Sequence, residues 1–165
     1  MIANDDYCGD YFDLIFVFPG NSDLSMIKEN IDYFETDENP QAKEIHNALM
    51  AHNQSIVGVP NRLPLVLSIS IEGQLVAGLK GLSHWKWLYI SHLWVAAGYR
   101  RLHYGRHLME RAEIEARERD CVGCYVDTFS LTAVRFYESV GYEIFGKLEN
   151  FPPPHTRFFL QKYLS

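Results

Sequence analysis

The sequence predicts a single α/β domain, a mixed sheet with helices on both faces, in the order β-α-α-β-β-β-α-β-α-β-β. Three observations predict it. Leu65, Leu67, Ile69 and Ile71 alternate with Val66, Ser68, Ser70 and Glu72, the period of two that a strand imposes. Tyr104, Leu108, Ala112 and Ala116 then recur every fourth residue, one stripe of a helix. The 165 residues match one ordinary domain and contain no repeat, low-complexity segment or interdomain linker.

In chain order, Tyr11–Phe18 reads as a first strand stopped by Pro19-Gly20. Asn21-Ser22 offers an N-cap for a helix through about Glu35, and Asp37–Pro40 is a break. A second helix covers Gln41–Asn53, and the prolines of Gly58–Pro64 mark a loop. The strand from Leu65 turns at Glu72-Gly73-Gln74 and returns over Leu75–Leu82. Trp85–Val95 makes the next strand. Strict alternation puts Trp85, Trp87, Tyr89, Leu93 and Val95 on one face and Leu88, Ile90 and Trp94 on the other. Both faces are largely apolar, so this strand is expected at the centre of the sheet. The helix that begins near His103 runs to about Arg119. Cys121–Thr128 reverts to strand. Ala133, Phe136, Tyr137 and Val140 have the spacing of a short helix, with Gly141 placed to end it. Tyr142–Leu148 and Thr156–Leu164 are two last strands joined by a proline-rich loop, Phe151–His155.

The net charge of −6 argues against a nucleic-acid partner, which would need clustered Lys and Arg, and favours a cationic substrate. Residues 1–10 have no basic-then-apolar leader, and no apolar run approaches bilayer length. The expectation is a cytoplasmic protein with no membrane partner. Cys8, Cys121 and Cys124 are too few for a disulfide scaffold. Cys121 and Cys124 have CxxC spacing but no second pair to complete a zinc site, and read as structural. His103 and His107 share a helix face and make half a metal site, so no metal is expected. Trp85, Trp87, Tyr89 and Trp94 line either a substrate pocket or the core.

Arg100, Arg101 and Arg106 form a basic island where a strand gives way to a helix. A helix N-terminus offers unpaired N–H groups and the positive end of its dipole, a ready phosphate site. Gly105 is expected to let the backbone approach the ligand closely.

Leu93-Trp94-Val95, Tyr99-Arg100 and Gly105-Arg106-His107-Leu108 resemble the acyl-CoA-binding motif of the GNAT superfamily of N-acetyltransferases. That motif reads Gln or Arg, two residues, Gly, one residue, then Gly or Ala. Arg100 stands at its first position and Gly105 at its last; His103 stands where the first Gly belongs. Asp127–Ser130, Ala133, Phe136–Glu138 and Gly141-Tyr142 resemble the superfamily's second signature, with Ser130 in place of the usual Asn. Ile144–Gly146 and Phe151–Leu160, with Phe151-Pro152 and His155-Thr156-Arg157, resemble one bacterial subgroup. The similarity covers about Leu65 to Leu164; residues 1–60 match only in their strand–helix–helix order and are expected to wall the acceptor side.

The resemblance implies a mostly antiparallel mixed sheet and acetyl-CoA as cosubstrate. It implies cofactor contacts from Leu93, Trp94, Val95, Arg100, Arg101, Leu102, His103, Tyr104, Gly105, Arg106, Ser130, Ala133 and Phe136. It also implies a β-bulge near Leu93–Val95 that frees backbone N–H groups for the thioester. Tyr137 matches the family tyrosine that hydrogen-bonds the leaving sulfur and is expected to act as the acid. The reaction also needs a base for the incoming amine. Tyr89, His92 and Asp127 lie near the centre of the sheet, and His155 is within reach on its loop. Of these, His92 and Asp127 are carried forward as catalytic candidates. The expected acceptor is a small-molecule or peptide amine, and edge strands near the C-terminus suit a homodimer. A non-catalytic acyl-CoA-binding or regulatory module is the alternative, motivated by His103 and Ser130.

Overall fold

The computed structural model describes residues 31–165. The chain divides into two compact units, Met1–Gly58 and Val59–Ser165. The expected strand Tyr11–Phe18, and the expected helix from Asn21 as far as residue 30, lie outside the described residues. No helix among the described residues is long and apolar enough to cross a membrane.

In the first unit, residues 31–39 form no helix, so the one expected to reach Glu35 does not. Polar side chains bond the backbone there instead. Glu38 N–H donates to Thr36 Oγ1 at 3.2 Å and Asn39 Nδ2 to Thr36 O at 2.6 Å, bonds that compete with a helix. Helix α1 (Pro40–Val57) starts where Asn39 Oδ1 accepts from Ala42 N–H at 2.8 Å. It ends at Val57, four residues beyond the expected stop at Asn53, with Gly58 as its C-cap.

The second unit holds strands β1 (Leu63–Ile71), β2 (Gln74–His84), β3 (Trp87–Val95), β4 (Gly123–Thr128), β5 (Glu143–Leu148) and β6 (Arg157–Tyr163). Helix α2 (Tyr104–Glu118) joins β3 to β4, and α3 (Leu131–Ser139) joins β4 to β5. The sheet order is β1-β2-β3-β4-β6-β5, and only β3 and β4 pair in parallel. Strand β1 already includes Pro64, expected in a loop; β1 is an edge strand, where a missing N–H is tolerated. Trp85 is not in a strand, contrary to expectation. Trp85 and Lys86 have φ of 44° and 63° and make the two-residue turn between β2 and β3.

Both crossovers, β3-α2-β4 and β4-α3-β5, move the same way across the sheet, so right-handed connection places α2 and α3 on one face. One contiguous core confirms it. Leu108, Met109, Ala112 and Ala116 of α2 and Val134 and Tyr137 of α3 pack with Ala77, Leu79, Leu88, Ile90, Cys124, Val126 and Leu160 of the sheet. Cys121 and Cys124 are both free and buried, as structural cysteines should be. Lys162 Nζ reaches into this face, donating to both Glu113 oxygens at 2.9 and 2.8 Å and to Val140 O at 2.8 Å. That one ammonium ties β6 to α2 and to the end of α3.

The face away from these helices is aromatic. Tyr89 stacks on Tyr125 with ring centroids 4.8 Å apart, and Trp87 lies edge-on to Tyr125 and Tyr163.

Candidate active site

The site begins where two strands part. β3 and β4 pair from Trp87 and Gly123 as far as Ile90 and Val126. β3 then continues to Val95 and β4 to Thr128 with no pairing between them. Peptide groups on the facing edges are left for a ligand, and buried ones need a partner.

Next to the parting, β3 carries one residue too many. Lys80 pairs with His92 but Gly81 with Ile90, so Ser91 is the extra residue of a β-bulge. The bulge lies just before the Leu93–Val95 stretch for which the family resemblance implied one. It also corrects the facing of the strand. Leu88 and Ile90 are core residues, and beyond the bulge Leu93 and Val95 pack against the same core rather than sharing the Tyr89 face. His92 and Trp94 are exposed on the other side. Gly81 makes room for the bulge: a Cβ there would lie 2.7 Å from the Tyr89 carbonyl oxygen.

The bulge also orients His92. Ser91 Oγ donates to Lys80 O at 3.3 Å, and His92 Nδ1 lies 2.9 Å from Ser91 Oγ. A hydroxyl has one proton to give. With that proton on Lys80 O, His92 is placed to donate from Nδ1, which leaves Nε2 facing away from the bulge contact.

The basic turn follows β3 through a short 3-10 turn, Ala97–Tyr99. Arg101 and His103 have φ of 64° and 62°, and His103 caps α2 without a side-chain bond. Left-handed residues in such a turn aim backbone N–H groups inward, a concavity suited to anions, at the positive end of a 15-residue helix. His103 therefore adopts the conformation for which the motif uses glycine. Two residues of this turn also serve packing. A Cβ on Gly105 would lie 3.3 Å from Phe136 Cζ, so this glycine lets α2 approach α3 closely. Arg106 Nη2 donates to Ser139 O at 3.2 Å at the end of α3. Arg100 folds back, its Nε donating to Val95 O at 3.1 Å, while Arg101 and Leu102 are exposed. Leu93, Val95, Tyr104, Ala133 and Phe136 all line the same core.

Ser130 Oγ accepts from Ala133 N–H at 3.3 Å and so caps α3. Tyr137, on the inner face of that helix, is 6% exposed. Burial first, then the negative charge of Asp127, pushes its phenol up to about 12. Its hydroxyl makes no hydrogen bond among the described residues.

Asp127 stands at the end of β4, on the aromatic face. Tyr89 Oη donates to its Oδ1 at 2.7 Å and Arg157 Nε to its Oδ2 at 2.6 Å. The Arg157 guanidinium lies 5.4, 5.6 and 5.5 Å from the ring centres of Phe129, Phe151 and Phe159. Tyr125, stacked on Tyr89, is pushed up to about 12 by burial and then by Asp127. His155, a further candidate base, is exposed on its loop.

Asp127 thus stands at the parting with its charge felt by Tyr137, His92 lies exposed on β3 just beyond the bulge, and the backbone of Arg101–Gly105 forms the turn. Two residues escaped sequence reasoning. Ser91 looked like an ordinary strand residue, because a bulge has no composition of its own. Arg157 was within a recognised segment, and an arginine among phenylalanines was the available signal.

Residues 25–142 match the family model of the acetyltransferase (GNAT) family. A blasticidin-S acetyltransferase from Streptomyces morookaense is 41% identical over 94 residues, 56% of this chain and 69% of that protein. Acetyltransferase Atu2258 of Agrobacterium fabrum is 34% identical over 107 residues, 64% of this chain and 78% of that protein. The crystal structure of an acetyltransferase from Bacillus cereus superposes with a TM-score of 0.73 at 28% identity, covering 81% of this chain and 98% of that one.

Proposed function

The chain belongs to the GNAT family and is an acyl-CoA-dependent N-acetyltransferase; from that premise we propose that it acetylates a primary amine on a small cationic molecule by direct attack on acetyl-CoA. The observation that carries the proposal is the parting of β3 and β4 beyond Ile90 and Val126, with Asp127 at its mouth and the unengaged Tyr137 hydroxyl within reach of the Asp127 charge. The net charge of −6 and a relative named for a small-molecule antibiotic support the acceptor class.

The residues divide the chemistry as follows. Backbone N–H groups of the Arg101–Gly105 turn hold the pyrophosphate, with Arg100 and Arg101 supplying charge. A lysine-like amine is neutral about one time in 2,500 at pH 7, roughly 4.6 kcal/mol of disadvantage. Nε2 of His92 takes the amine's proton, the base role the Ser91 bond prepares. The nitrogen then bonds to the thioester carbon, and a freed N–H of the Leu93–Val95 edge meets the oxyanion. As the carbon–sulfur bond breaks, its electrons go to sulfur and Tyr137 donates a hydrogen bond to it. Full proton transfer from a phenol at about 12 to a thiolate near 8.5 is uphill by about 5 kcal/mol. Tyr137 therefore stabilises the thiolate as a donor, a milder role than full protonation.

The proposal places the reaction in the cytoplasm. It allows a homodimer through edge strand β5, whose Ile144, Phe145 and Leu148 are exposed; sedimentation as a monomer removes that part. The test is thiol release from acetyl-CoA over polyamines, aminoglycosides, blasticidin S, amino acids and short peptides. Saturable release with a cationic small molecule is expected. Turnover confined to peptides, or to neutral or acidic amines, overturns the acceptor class.

A further inference from the structure

We infer that Asp127 anchors the acceptor's ammonium group, and that Tyr89 and Arg157 are positioning residues that aim its carboxylate; the inference rests on the acetyl transfer proposed above. An ionised carboxylate has about four lone-pair sites. Tyr89 and Arg157 fill two, one on each oxygen, and no third donor reaches Asp127 among the described residues. The remaining sites lie at the end of β4, beyond its last pairing with β3, where no strand among the described residues pairs with that edge.

The cluster is built to hold that carboxylate still. Asp127 and Arg157 side chains are 13% and 18% exposed, so the pair is sheltered from screening. Arg157 contacts Asp127 through Nε, and three phenylalanine rings hold the guanidinium plane. Stacking on Tyr125 fixes the ring of Tyr89. Both Asp127 oxygens are engaged by donors, a holding role distinct from the one proposed for His92. Arg157 also offsets most of the Asp127 charge. Attraction for a second cation then depends on hydrogen bonds more than on net charge. The site therefore selects a primary ammonium, which has N–H groups to donate. A quaternary ammonium, which aromatic faces alone would bind well, has none.

Calorimetric titration of the CoA-saturated protein with spermidine, blasticidin S and choline tests this. Spermidine or blasticidin S is expected to bind the wild type and choline not to. Asp127→Asn and Arg157→Met should each weaken amine binding by about tenfold or more, the loss expected for a bond to a charged group. Tyr89→Phe should weaken it by about threefold, and Arg157→Lys should recover part of the Arg157→Met loss. CoA affinity should stay within about twofold throughout, a split that general damage to the fold does not produce. If Arg157→Met fails to fold, Asp127→Asn and Arg157→Lys still decide. Unchanged amine binding in Asp127→Asn, or choline bound as tightly as spermidine, overturns the inference. So does a wild type that binds CoA but neither amine. A wild type that does not bind CoA removes the functional reading first, and the inference with it.

Discussion

At position 103 a histidine holds a backbone angle, φ 62°, that ordinarily falls to glycine. A side chain there costs about 1–2 kcal/mol, partly returned by the smaller entropy loss of a non-glycine residue. His103→Gly should raise stability by roughly 0.5–1 kcal/mol in urea unfolding and leave acetyl-CoA affinity unchanged, since backbone N–H groups carry the phosphate contact. A clear loss of affinity would mean that the imidazole itself touches the ligand. Tyr137 obeys the opposite logic: its backbone is ordinary and its hydroxyl is the point. Tyr137→Phe should cut kcat by about a hundredfold or more while acetyl-CoA affinity changes less than about twofold. An unchanged kcat would make it a core residue only. Tyr137 was legible because its spacing from Ala133 and Gly141 fits the family signature. The left-handed angle at His103 was not, because a lone histidine says nothing about its own φ.

Strand β3 shows what one extra residue does to an element. Its span was legible to within two residues, yet half of its facing was not. Alternation counted straight through Ser91 put Leu93 and Val95 beside Tyr89, and the bulge puts them with Leu88 and Ile90. Only the partner strand reveals the insertion, through Gly81. Gly81→Ala drives a methyl to 2.7 Å from a backbone oxygen that has no flexible chain to yield. It should cost about 1–3 kcal/mol of stability, read by thermal or urea unfolding, and lower turnover by disturbing His92. Wild-type stability and turnover in this variant would show that the bulge tolerates a side chain. Helix α3 was read more closely, since Ser130 at its start and Gly141 at its end punctuate it. At Gly141, φ is 92°.

At the scale of the molecule, element order was legible and element adjacency was not. Nothing in Arg157–Tyr163 announces that it lies between β4 and β5, because antiparallel pairing is chosen by packing rather than by local pattern. The part-buried Glu113–Lys162 pair, 49 residues apart, is equally invisible in the sequence; removing one partner should cost about 1–3 kcal/mol. Burial sets the response to alkali. Tyr125, Tyr137 and Cys124 are each pushed up to about 12, from ordinary values of 10, 10 and 9, with burial the largest cause. Their folded values lie above their unfolded ones, so the unfolded chain releases these protons first. Their contribution is complete below about pH 9 and is lost as pH rises towards 12. Urea midpoints should therefore hold level from pH 7 to about 8.5 and fall through pH 11, with Tyr125→Phe falling less steeply. A midpoint that climbs above pH 9 contradicts this account.

The place of β6 also governs when the protein can exist. It pairs with β4 on one side and β5 on the other, so until Arg157–Tyr163 has been made β5 has no partner in the sheet and β4 has only β3. Ribosomes add about 5–20 residues each second, and until that strand emerges the sheet lacks a plank. Arg157 arrives with the same strand. The plank that completes the sheet thus also delivers the cation that aims Asp127, and a chain released early lacks both the fold's closure and its acceptor site.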